Sequence, residues 1–171
     1  MRVADIEYLY DYNYWANQKL FAVILQLSPD EYTQTVAGSY ESIRNTLVHM
    51  LSAEWGWLDR CGGLARGDRL DPRDFPTLDV VTKAWREVET AMHEFLSGLT
   101  DDAVARDVTF AIAGQSHSIP LGGLLHHAAI HGAHHRGQVA LMLRTLGYTP
   151  GNFDLLIYMI AMQSHTPNRA L

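Results

Sequence analysis

Between His126 and Gln138 the chain reads HHAAIHGAHHRGQ, which gathers five of its nine histidines into thirteen residues. Neutral imidazole is a transition-metal ligand, so spacing decides whether such a run can bind an ion. On a helix each residue advances by about 100°. His131 and His135 therefore stand one turn apart on one face, close enough for both to reach one metal. His127 and Gln138 fall on the same arc, His134 lies at its edge, and His126 and Arg136 point elsewhere. A third ligand has to come from another part of the chain. The histidines alternate with Ala128, Ala129, Ile130, Val139, Leu141 and Met142, so their helix must pack into a core. Burying several imidazoles there without partners would cost on the order of a few kcal/mol each, which a metal would offset. On spacing alone, hydrogen-bonded core histidines or a cluster exposed at the mouth of a bundle are the alternatives.

The elements that must position these side chains are legible as helices. Residues from about Ala4 to Leu27 repeat apolar or aromatic side chains at helical intervals and contain no Gly or Pro. The pair Ser28-Pro29 stops that helix and opens a short turn of another before a polar connector to Gly38. Ser39 or Ser42 caps a second long helix that runs to about Cys61, where Gly62-Gly63 ends it. His49 sits at the edge of its apolar stripe, with Asn45, Ala53, Gly56 and Trp57 on its own side, and the small residues leave room beside the ring. Leu64 to Pro76 is a surface loop rich in charge and proline. A third long helix starts at Thr77 or Asp79 and ends near Gly98. From Asp107 to Ile119 the period changes to alternation around Gly114, which predicts a small β-hairpin. Pro120 precedes a fourth long helix, Leu121 to about Leu146, and an apolar helix from Phe153 to about Gln163 follows. Four long helices with short connections form an all-α antiparallel bundle with an added C-terminal helix, expected as one domain over residues 1–171.

Bulk properties narrow the function. A net charge of −6 argues against a nucleic-acid surface, which needs a basic stripe. No segment reaches the ~20 uninterrupted apolar residues of a membrane span, and the start, MRVADIEYLYDYNYW, lacks the apolar core of a signal peptide. The single Cys61 leaves metal binding to histidines and carboxylates, and a cytoplasmic location is the simplest fit.

Three segments, YWANQKL in the first helix, LVHMLSAEWGWLDR in the second and HHAAIHGAHHRGQVALMLRTLG in the fourth, closely resemble the DinB-like (YfiT-like) family of damage-inducible proteins, which is unrelated to the DNA polymerase of the same symbol. The resemblance extends over nearly the whole length, including the hairpin and the turn at Pro150 and Asp154, and the H-x-x-H-H-R-G-Q core is specific. It implies an up-down-down-up four-helix bundle, often homodimeric, with a divalent metal on three histidines, which by position are His49, His131 and His135. His127 is then an extra candidate, as a neighbour of the ligands or a substitute for one.

Three imidazoles leave a coordination position open, the pattern of a catalytic site. A divalent metal there lowers the pKa of a bound water or thiol; zinc and nickel are the leading candidates and ferrous iron a third. Characterised relatives include transferases and isomerases that use low-molecular-weight thiols such as bacillithiol or mycothiol. The resemblance thus implies a metal-dependent thiol S-transferase acting on a small electrophile. A hydrolase and a non-enzymatic metal-binding stress protein are the alternatives. Gln138 is placed to orient a ligand imidazole, and Trp57 and Tyr14 are pocket candidates, with Tyr10 and Asn17 sharing the face of Tyr14. Arg136 is expected to pair with Glu54 or a backbone carbonyl. Glu54 is poorly placed as a general base, about 140° round the helix from His49. Cys61, about 18 Å along the helix from His49, is not expected to be a nucleophile.

Overall fold

The computed structural model describes residues 1–65 and 69–165, so residues 66–68, the middle of the expected Leu64–Pro76 loop, lie outside the described residues. The chain is mostly helical. Helix α1 (Val3–Ile24) stops three residues before Leu27. Helix α2 (Pro29–Thr33) is the expected short turn, built on a capping box in which Ser28 Oγ accepts from the Glu31 amide and Glu31 Oε2 accepts from the Ser28 amide. Helix α3 (Ile43–Cys61) is capped by Ser42, whose Oγ accepts from the Asn45 amide at 3.1 Å. Helix α4 (Leu78–Ser97) follows Thr77. A 3₁₀ turn at Pro72–Asp74 and a short helix, α5 (Asp101–Val104), were not expected from the sequence. Thr100 Oγ1 caps α5, and its four residues are too few to show a period.

The expected hairpin is present as β1 (Asp107–Ile112) and β2 (Gln115–Pro120), paired antiparallel with Val108 opposite Ile119 and Phe110 opposite His117. Its two-residue turn has positive φ at both Ala113 (52°) and Gly114 (78°), the twist that joins adjacent strands directly. Helix α6 (Leu121–Thr145) carries the histidine-rich stretch, and helix α7 (Leu155–His165) begins where Asp154 Oδ1 accepts from the Leu156 amide.

Four long helices enclose the core. Helix α6 packs on α3 and α1, and α4 packs on α3 and α1. Ile6, Leu20, Leu47, Leu51, Met92, Leu125, Val139 and Met142 are all buried between them. Helix α7 lies outside this set on α1, where Tyr158 meets the rings of Tyr8, Tyr12 and Trp15 at 5.4–5.9 Å. Among the described residues no helix is long and apolar enough to cross a membrane.

The interior also holds a network of polar groups. Gly132 lets α6 approach α1, since a Cβ there would meet Asn13 Oδ1 at 3.0 Å. Beside it lies Arg136, which is 1% exposed. Its guanidinium donates to Asn13 Oδ1 and to Asn17 Oδ1, and Asn13 Nδ2 reaches Glu54 Oε2 at 3.5 Å. Tyr14 completes the network by donating its hydroxyl to Glu54 Oε1 at 2.7 Å. Arg136 therefore meets Glu54, one of the two partners the sequence suggested, through the Asn13 amide and not as a direct pair.

Candidate metal centre

The pairing of α3 with α6 brings His49 across to the two histidines one turn apart on α6. His49 Nε2 lies 3.3 Å from His131 Nε2, and His135 Nε2 lies 3.1 Å from the same atom. His49 and His131 are half-buried and His135 is buried. Among the described residues these three form the cluster of potential metal-ligating side chains.

These spacings suit an ion better than they suit hydrogen bonds. A neutral imidazole Nε2 carries either a proton or a lone pair, so His131 Nε2 can satisfy one neighbour but not two. A metal takes a lone pair from each. Nitrogens about 2.0–2.1 Å from a tetrahedral centre are about 3.3 Å apart, the separation found here. The electrostatics agree with that assignment. Burial, helped by the charges that His135, His127 and His134 would carry, holds the His131 imidazole down at about 4, and burial also lowers His135. Both rings are thus unprotonated near neutral pH, the form that binds a metal.

Gln138 supports the arrangement from the next turn. Its Oε1 accepts from His135 Nδ1 at 2.6 Å, which leaves the His135 Nε2 lone pair facing the other two histidines. Its Nε2 donates to His134 Nε2 at 2.9 Å, so His134 serves this amide and lies outside the cluster. Gln138→Ala should therefore weaken metal binding by about 10–100-fold without unfolding the protein, as measured by competition with a chromophoric zinc chelator.

The other candidates divide. His127 is exposed and stands edge-on to Trp57 at 5.1 Å, with its ring 6.0 Å from that of His131, so it borders the cluster without joining it. Trp57 packs between His127 and Phe110 of β1, which ties the hairpin to this end of α3. Tyr14, with its hydroxyl committed to Glu54, is not brought to the histidines, and Tyr10, whose hydroxyl donates to the Leu125 carbonyl, is core. His126 is exposed. Burial pushes the Cys61 thiol up to about 12, which removes it as a nucleophile near neutral pH.

Tyr40 was missed by the sequence reading. It comes from the connector before α3 and lies flat on His49, with centroids 4.0 Å apart and planes 19° apart. With Ser39, Glu41, Asn45, Ser52 and Leu70 it lines a pocket of about 320 Å³ that reaches His49. The connector has no hydrophobic period, so only its position next to a candidate ligand helix could have drawn notice.

The family model described as the DinB family matches residues 1–168. The chain is 29% identical over 167 residues to the protein DinB of Bacillus subtilis (strain 168), covering 88% of this chain and 92% of that protein. It is 24% identical over 142 residues to the uncharacterized protein YizA of the same organism, covering 82% and 87% respectively. The fold is similar to the crystal structure of a DinB-like protein from Bacillus cereus ATCC 10987, with a TM-score of 0.70 at 22% identity over 88% of this chain and 97% of that one.

Proposed function

The chain belongs to the DinB family, and from that premise we propose that it is a divalent-metal protein with His49, His131 and His135 as ligands, acting as a thiol S-transferase on small electrophiles. The observation that carries this reading is the meeting of three Nε2 atoms around one point, with a pocket beside them large enough for a small molecule. When bound, a divalent metal with three imidazole ligands supplies a Lewis acid that lowers the pKa of a thiol or water entering its open position. The chain supplies the rest. Gln138 fixes the tautomer of His135, burial keeps the His131 and His135 imidazoles unprotonated, and the Tyr40 and Asn45 side of the pocket admits the substrate next to His49. Zinc and nickel suit an all-imidazole set, with ferrous iron a third candidate.

The surroundings fit the remaining family expectations. The four long helices are read as the up-down-down-up bundle. Leu156, Met159 and Ile160 of α7 expose an apolar stripe at i, i+3 and i+4, the kind of surface a homodimer would cover. A cytoplasmic location and a role in stress response complete this reading.

A hydrolase is the second reading, favoured by one observation. Glu41 lines the pocket beside His49, where a base for attacking water would stand, whereas Glu54 is sealed against Tyr14 and Asn13. Turnover separates the two. Zinc-loaded protein should consume a model electrophile such as 1-chloro-2,4-dinitrobenzene faster than background only when a low-molecular-weight thiol is present, and His131→Ala should abolish that gain. Thiol-independent cleavage of an activated ester, lost in Glu41→Gln, would replace the transferase reading with the hydrolase. Inactivity with every thiol and ester tried would leave a non-enzymatic metal-binding protein.

A further inference from the structure

We infer that Tyr40 is a positioning residue of the metal centre, its ring holding the His49 imidazole in the orientation that turns Nε2 toward His131 and His135. The inference rests on the metal-centre reading, though not on the thiol chemistry. Of the three histidines, His49 is the one whose place depends on packing between helices. His131 and His135 share α6, so one turn of helix sets their relation, and Gln138 holds the His135 ring. His49 arrives on α3. The last torsion of a histidine side chain is broad, so the plane of the ring is set by what packs against it. A flat partner 4.0 Å away and 19° from parallel restricts the plane of that ring, and the Tyr40 ring also stands 5.7 Å from His135, tilted by 58°. Tyr40 thus touches ligand rings from both helices.

The connector is built to deliver it. The Val36 amide donates to the Glu41 carbonyl at 2.8 Å, and the amide of Ser42, the residue that caps α3, donates to the Tyr40 carbonyl at 2.8 Å. Glu41 lies in the left-handed region at φ 66°, one of two non-glycine residues to do so among those described. That backbone is unfavourable for glutamate and persists only where its surroundings over-determine it. Here the turn it makes places Tyr40 on His49 and the Glu41 side chain on the pocket.

The test measures zinc affinity by chelator competition and the visible absorption of the cobalt-substituted protein, for wild type, Tyr40→Phe, Tyr40→Leu and Tyr40→Ala. Tyr40→Phe keeps the flat ring and should match wild type in both. Tyr40→Ala should bind zinc about tenfold more weakly and shift the cobalt bands, because the ligand set then relaxes. Tyr40→Leu keeps apolar bulk without a flat face, so it should behave as Tyr40→Ala and covers the case in which alanine disturbs the connector. Wild-type affinity and an unchanged cobalt spectrum in both Tyr40→Leu and Tyr40→Ala would overturn the inference. So would an equal loss in Tyr40→Phe, which would assign the effect to the hydroxyl. A wild-type protein that binds neither zinc nor cobalt would instead overturn the metal centre itself, and this inference with it.

Discussion

Glu54→Gln should destabilise the protein by about 1–3 kcal/mol, which for a chain of this length lowers the melting temperature by about 2–12 °C. The substitution hardly changes shape, and glutamine still accepts from the Tyr14 hydroxyl. What it removes is the negative charge that faces Arg136 through Asn13. Arg136 is 1% exposed and cannot give up its proton, so its charge stays buried without compensation. Arg136→Met leaves a different defect. Methionine fills much of the space of the arginine stem, and the stranded Glu54 can relieve itself by taking a proton. Burial already raises its carboxyl, against the opposing pull of Tyr14 and Arg136. The sign of the pH dependence follows. A carboxyl whose folded pKa is raised contributes stability below its unfolded value of about 4.5 and loses it as pH rises through the folded value. The deficit of Arg136→Met should therefore shrink on acidification. Combining the two removes both charges, so the double variant should be more stable than the sum of the single losses predicts. Thermal denaturation of the three variants at two pH values measures this, and simple additivity would show that the two charges are not coupled.

That network also marks where the sequence stops being readable. The helices were legible because Ile6, Leu20, Leu47, Leu51, Val81, Trp85 and Val88 recur at helical spacing, and their ends because Ser28, Ser42, Gly62 and Gly147 carry cap chemistry. The hairpin announced itself by alternation around Gly114. His131 and His135 were legible from spacing, since both lie on one helix and its geometry is known in advance. His49 was not, because nothing in local periodicity says which residue of α3 will face α6; the family resemblance supplied it. The same limit hid Asn13 and Tyr40. Asn13 reads as a polar interruption in a helix until α6 places Arg136 against it. Tyr40 reads as part of a polar connector until the left-handed backbone of Glu41 folds it back. Tyr14 failed for a related reason, as its face was identified correctly but its partner, Glu54, belongs to another helix.

His131→Ala should abolish stoichiometric metal binding and yet cost the metal-free protein little. His131 Nε2 is the atom within 3.3 Å of both other ring nitrogens, so its loss leaves two imidazoles on different helices with nothing between them to complete a site. Without metal, that same atom is a liability. Three half-buried or buried nitrogens crowd one point, the His131 Nε2 can serve only one of its two ring neighbours at a time, and burial opposes charging. Removing one ring relieves the conflict while giving up some packing, so in chelator His131→Ala should melt within about 3 °C of wild type, on the scale at which one kcal/mol shifts a chain of this size. With zinc at about a hundred times its dissociation constant, wild type should gain about 2.7 kcal/mol, or roughly 5–10 °C, that the variant does not. Acid should erase the same gain. The imidazole of His131 has a folded pKa near 4 against 6.5 unfolded, so its contribution to stability is complete above 6.5 and disappears as pH falls through about 4, while protons displace the metal over the same range. Metal analysis of the purified protein, together with melting curves in zinc and in chelator, measures all of this. Full metal retention in a protein lacking His49, His131 and His135 together would remove the centre from this site, and a large loss of stability in metal-free His131→Ala would mean that the three rings are a structural cluster rather than a ligand set.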